Sequence, residues 1–173
     1  MKDLQPPHDP IDALGEAYER LLETAMDDLH SVEEKSGPVL HGLIDQAKEK
    51  LLAAEEYTEA ELDKAGDYLK RDLIDAADYL AETGDDFATW LDFDIELIED
   101  RMKELFAQAA DQTTIELLQL KQQARLSEYH TGEITGPGTL VCDTCGKKLH
   151  FHLVAKIPPC PKCRATRFHR QSS

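Results

Sequence analysis

Four cysteines carry the chemistry of this sequence. They stand as Cys142-Asp143-Thr144-Cys145 and, after 14 intervening residues, Cys160-Pro161-Lys162-Cys163. A Cys-x-x-Cys turn aims two thiolates to one side. Two such turns complete a tetrahedron around a single ion, with metal–sulfur distances of about 2.3 Å. Four soft thiolates leave no open coordination position, so the expected cofactor is one structural zinc ion, not a hydrolytic metal. Its ligands are Cys142, Cys145, Cys160 and Cys163. Iron in a rubredoxin-like electron-transfer site would use the same thiolates, and a redox switch that loses zinc on oxidation would too. Against iron, Arg164 follows the second pair where a rubredoxin-like knuckle usually has glycine, although Gly146 follows the first. His150, His152 and His169 could serve as ligands, but the cysteines already complete the set.

Short strands are expected around the ligands. Gly136-Pro137-Gly138 turns into Thr139-Leu140-Val141-Cys142, and residues 147–154 alternate. Leu149, Phe151 and Leu153 take one face there, Lys148, His150 and His152 the other. Arg167-Phe168-His169-Arg170 supplies a third strand. About 40 residues cannot enclose a large apolar core, so metal binding would contribute much of the folding free energy of this unit.

The remainder of the chain has a different composition. The 173 residues carry a formal net charge of −16, unevenly divided. Residues 1–130 hold 33 acidic and 12 basic side chains, and residues 131–173 hold 2 acidic and 7 basic ones. The chain therefore divides into an acidic helical domain, 1–130, and a C-terminal ribbon, 131–173. Overall charge argues against capture of nucleic acid or an anionic membrane by the whole molecule. The N-terminal Met1-Lys2-Asp3-Leu4-Gln5-Pro6-Pro7 lacks the apolar stretch of a signal peptide, and no run reaches the roughly 20 apolar residues of a membrane span. A cytoplasmic location is expected, where thiols bind metal in preference to forming disulfides.

No proline occurs between Val39 and Gly136, and the stretch is rich in helix formers. A first helix starts at Asp9-Pro10 and carries Ile11, Leu14, Tyr18, Leu21, Leu22, Ala25, Leu29 and Val32 on one stripe, ending at Gly37-Pro38. A second carries Leu40, Leu43, Ile44, Ala47, Leu51 and Ala54. Thr58-Glu59-Ala60-Glu61 is a capping box that opens a third, with Leu62, Ala65, Leu69, Leu73, Ala76 and Leu80, stopped at Gly84. A fourth runs from about Asp86 through Trp90, Ile95, Ile98, Met102 and Ala109. Thr113-Thr114-Ile115-Glu116 reads as a second capping box, before a last helix closed by His130-Thr131-Gly132. The fold class is mainly α: an elongated antiparallel bundle, or coiled-coil-like hairpins, followed by a small C-terminal β zinc ribbon.

Catalytic signatures are lacking. A di-iron bundle needs Glu-x-x-His motifs, and the nearest spacing is Asp27-Asp28-Leu29-His30. Trp90, Tyr18 and Tyr68 read as packing residues, and His30 and His41 as surface or satisfied histidines. No nucleophile–base pair or phosphate-binding glycine loop is visible.

Tyr129-His130-Thr131-Gly132-Glu133, Gly136-Pro137-Gly138-Thr139-Leu140-Val141-Cys142 and the two cysteine pairs together resemble the YbeL-like bacterial zinc-ribbon proteins, a family of unknown function. The likeness is close over residues 129–170 and weaker in the helices, at Tyr57-Thr58-Glu59-Ala60-Glu61-Leu62 and Lys70-Arg71-Asp72-Leu73. It implies a zinc ribbon in a bacterial cytoplasmic protein and no established activity.

The function expected from these readings is a non-enzymatic zinc-ribbon protein, a protein-interaction or regulatory module. Its partner would be a protein, or a second copy through the helices, and not a membrane. The alternative is nucleic-acid binding through Lys148, His150, His152, Arg164, Arg167 and Arg170. A rubredoxin-like or redox-sensing role ranks below both. The opposite charges of the two parts also predict that ribbon and helices attract each other.

Overall fold

The structure, a computed structural model, describes residues 10–31, 39–84, 86–120 and 128–170, and only the backbone of residues 10–12, 39 and 117–120. Five helices come first: α1 (Pro10–Ser31), α2 (Val39–Ala53), α3 (Glu59–Thr83), α4 (Phe87–Leu91) and α5 (Asp100–Leu120). A 3-10 turn, Ile95–Leu97, lies between the last two. The expected cap at Asp9, Val32 and the Gly37-Pro38 stop lie outside the described residues, as does the side chain of Ile11.

The stripes meet one another. Tyr18, Leu21, Leu22 and Ala25 of α1, Leu40, Ile44 and Ala47 of α2, Leu62, Leu69, Leu73 and Ala76 of α3, and Phe106 and Ala109 of α5 are all buried in one core. Trp90 lies in that core, its ring stacked 5.8 Å from Phe106 and 5.7 Å from Phe87. Among the described residues, no helix is long and apolar enough to cross a membrane.

Local signals set the ends of α3. Thr58 accepts the Glu61 amide at 3.2 Å while the Glu61 carboxylate accepts the Thr58 amide at 2.9 Å, closing the capping box. Gly84 takes the left-handed conformation, φ +70°, and its amide reaches the Leu80 carbonyl at 3.0 Å.

Beyond α3 the chain departs from the expected pattern. The single helix expected from Asp86 to Ala109 is broken. Asp86 caps α4, Asp92 ends it in the left-handed region at φ +60°, and Asp94 caps the 3-10 turn. The Asp86 and Asp94 side chains accept the amides of Thr89 and Glu96, and the Asp92 amide turns back to the Thr89 carbonyl, so local bonds compete with helix continuation. The second capping box is absent. The α5 helix runs unbroken through Thr113 and Thr114, whose hydroxyls donate to the carbonyls of Ala109 and Ala110 at 2.8 and 2.9 Å. Glu116 instead accepts the Leu40 amide of α2 at 2.7 Å, capping another helix.

His130-Thr131-Gly132 does not close a helix. Tyr129–His130 is strand β1, followed by β2 (Ile134–Thr135), β3 (Gly138–Cys142), β4 (Lys148–Phe151), β5 (Ala155–Lys156) and β6 (Arg167–Arg170). Four antiparallel strands form a sheet in the order β1-β6-β3-β4, and β2 pairs with β5. Tyr129 pairs opposite Phe168, so long-range pairing overrides the helical prelude. The alternation expected over residues 147–154 ends at Phe151, leaving Leu153 64% exposed.

Candidate metal centre

Strands β3 and β6 form the frame of the centre. Cys142 ends β3 opposite Phe168 of β6, and the second knuckle precedes β6. Each knuckle is a tight turn. The Gly146 amide donates to the Cys142 carbonyl at 3.0 Å and the Arg164 amide to the Cys160 carbonyl at 2.8 Å. Both donors adopt positive φ, +74° at Gly146 and +62° at Arg164. That conformation is free for glycine and costs about 1 kcal/mol for arginine, a cost the second knuckle carries.

The four Sγ atoms lie within 4.8 Å of one another, with Cys142 to Cys163 and Cys145 to Cys160 each at 3.6 Å. A tetrahedron with arms of about 2.3 Å has edges of about 3.8 Å. The sulfurs are too far apart for disulfides, which need about 2.05 Å, and all four cysteines are free. The donor set fits zinc. Burial raises the Cys160 thiol, but the amides of Cys163 and Lys162 outweigh it and hold it down to about 6. The Ala165 amide lowers Cys163, yet loss of water and the three neighbouring thiols push it up to about 12. Thiols this close cannot all ionise alone, and a bound divalent cation supplies the opposing charge.

Around the centre, Tyr129, Leu140, Phe151, Ile157 and Phe168 form a small core with Cys142 and Cys160. His169 does not approach the sulfurs as a ligand; its Nδ1 lies 2.5 Å from Asp143. His150 Nδ1 lies 2.8 Å from the Thr139 hydroxyl, and the His152 ring meets Phe93 edge-on at 4.8 Å.

The opposite ends of the same strands press into the helices. Residues 134–140 are all buried. Ile134 and Val154 belong to the helical core, and the Thr139 hydroxyl donates to the Leu91 carbonyl at 2.6 Å. Asp72 of α3, wholly buried, accepts the Tyr18 hydroxyl at 2.6 Å and the Gly136 amide at 2.7 Å. Arg170 reaches it from the end of β6, Nη2 to Oδ1 at 3.3 Å, and also donates to Thr135 at 2.6 Å and to Tyr129 at 3.2 Å. Its guanidinium lies over Trp90, 5.0 Å from the ring centre. Burial opposes the Arg170 charge, but Tyr129 and Asp72 outweigh it and raise the guanidinium above its ordinary value. Burial and the Asp72 charge raise the Tyr18 hydroxyl well above its usual range, so it stays a donor. Nearby, Arg71 binds Glu133, donates to the Ile134 carbonyl at 2.9 Å and stacks on Tyr129 at 3.9 Å.

Several sequence assignments change here. Tyr18 packs as expected but also holds Asp72. His41 is buried, with no hydrogen-bond partner at Nε2, so it is neither a surface nor a satisfied histidine. Of the six residues proposed to contact phosphates, Arg170 is buried and Lys148 pairs with Asp92 at 2.9 Å, while Arg164 and Arg167 remain exposed. The burial of Asp72 and its pairing with Tyr18, Gly136 and Arg170 were not foreseen, because an acidic residue in an acidic helix gives no signal of burial.

Two cysteine knuckles closing one tetrahedral position on a small antiparallel sheet make the C-terminal unit a zinc ribbon, carried on a helical bundle. The chain belongs to the zinc-ribbon containing domain family, whose model matches residues 27–172. The family unit therefore spans most of the bundle as well as the ribbon. The chain is 27% identical over 137 residues to the protein named Uncharacterized protein YbeL of Escherichia coli strain K12. That match covers 76% of this chain and 82% of the relative, and the protein of the same name in Escherichia coli O157:H7 matches to the same extent. No solved structure matches.

Proposed function

We propose that the protein is a non-enzymatic interaction module of the cytoplasm, in which a structural zinc ion gives rigidity to a ribbon that docks onto another protein. The carrying observation is the closed four-sulfur cluster, which leaves no coordination position for substrate or water. The two faces of the ribbon support the same reading. Its inner residues are used against the bundle, whereas Lys147, Lys156, Lys162, Arg164, Arg167 and Leu153 are exposed on the outside. The helical stripes bury one another within the chain, so the outer ribbon is a better contact surface than the helices.

Affinity capture from cells, comparing wild type with Cys145→Ser, tests the reading. A partner retained by wild type and lost with the ribbon supports it; an identical set of captured proteins refutes it. A second reading, nucleic-acid binding, draws on the exposed lysines and arginines around the knuckles. Failure of the full chain to retard DNA or RNA at low salt removes that reading.

A further inference from the structure

The strands that hold the metal site at one end grip the helical bundle at the other. The β3 strand carries Cys142 at its end and Gly138 at its start; β6 follows Cys163 and ends at Arg170. In the pairing of these two strands, Cys142 is opposite Phe168 and Leu140 is opposite Arg170. A step of two residues along each strand thus separates the strand end at the zinc knuckle from the buried arginine. On the bundle side, Asp72 is fully buried and shares its Oδ2 between the Tyr18 hydroxyl of α1 and the Gly136 amide of the ribbon. Its Oδ1 has no hydrogen-bond partner and faces Arg170 and Arg71 at 3.3 and 3.5 Å. A carboxylate buried among three elements is stable only while its cations are in place.

We propose that zinc occupancy and bundle stability are coupled through Arg170 and Asp72, so that metal loss in the ribbon releases the latch and loosens α1 and α3. The ribbon core is too small to hold β3 against β6 without the metal. When that pairing is lost, Arg170 and Gly136 leave Asp72. Tyr18 and Trp90 then lose their cover from Gly136 and Arg170, and the helices become less stable without any change in their own residues. Linkage makes the effect reciprocal: whatever zinc adds to the bundle, the latch adds to zinc affinity, by the same factor. The inference rests on the four-cysteine site and not on the proposed docking role, so a partner captured or missed in the pull-down leaves it untouched.

Two measurements on the full chain test it. Amide hydrogen exchange around Tyr18 and Asp72 is recorded with zinc and after chelation; exchange there should accelerate by roughly 5- to 150-fold. Zinc affinity, read by competition with a chromophoric chelator, should fall by a similar factor in Asp72→Asn, although Asp72 is no ligand. Tyr18→Phe, which removes a single hydroxyl, supplies the same readout if Asp72→Asn does not fold, with a smaller loss in the same direction. Unchanged exchange in α1 and α3 after chelation, or zinc affinity within twofold of wild type in the folded variant, overturns the proposal.

Discussion

Arg170, the last residue of β6, lies 3.3 Å from Asp72 in the middle of α3, and both side chains are buried, at 5% and 0% exposure. This buried pair joins the basic ribbon to the acidic bundle. The attraction foreseen from the charge division is thus realised at one desolvated contact and supplemented by exposed ones such as Lys148 with Asp92. Surface pairs of that kind contribute about 0–1 kcal/mol, whereas removing one member of a buried pair leaves an uncompensated charge.

Arg170→Met should therefore destabilise the full chain by about 3 kcal/mol in denaturant unfolding, toward the low end because Tyr18 and Gly136 still bond Asp72. Adding Asp72→Asn removes the stranded charge. The double variant should lose less than the two single losses combined; strict additivity would show that the pair does not interact.

Gly136 and Gly138 form the contact between ribbon and bundle with their backbone. A Cβ at Gly136 would collide with the Tyr18 hydroxyl, and one at Gly138 with Arg170, where φ is also +144°. Gly136→Ala and Gly138→Ala should each lower the thermal midpoint by several degrees, about 1–3 kcal/mol of overpacking. Gly42→Ala on the exposed face of α2, where a Cβ meets nothing within 4 Å, is the matched control and should be neutral or stabilising.

One zinc ion per chain is expected by elemental analysis, with a colourless protein. Iron would give visible absorption and a red colour. Cys145→Ser should lose the metal and its β signature in solution spectra. Full zinc content in that variant would contradict the four-cysteine site.

Acid should weaken the fold through His41. Burial, reinforced by Lys70 and opposed by Asp45, lowers its pKa from 6.5 to about 4. Between these values the unfolded chain binds a proton that the folded one refuses. Stability should fall as pH drops from about 6.5 to 4, by up to about 3 kcal/mol, with no further contribution below 4. His41→Leu should flatten that part of the curve; an unchanged slope between wild type and variant would assign the acid sensitivity elsewhere.

Much of the molecule was legible because its signals are local. The clustering of the four cysteines follows from two tight turns, each closed within a few residues. The stripes of α1, α2 and α3 and the capping box at Thr58 depend on neighbours three and four positions away. Two of the misreadings share one physical cause. Glu116 looked like a local cap but bonds Leu40 on another helix; Tyr129-His130 looked like a helix end but pairs with Phe168 and Arg167. In each case a distant partner outweighed the local preference.

Spacing and composition by themselves determined a four-thiolate ribbon following an acidic, helix-rich segment, because metal-ligand turns and amphipathic periodicity are properties of short stretches of chain. Tertiary structure alone decided that the two are locked together. Asp72 lies in one of the stretches that resemble the family, but neither its residue type nor its spacing marks it as buried; only folding brings Tyr18, Gly136 and Arg170 around it. Desolvation then turns one carboxylate of a solvated-looking helix into the joint between ribbon and bundle.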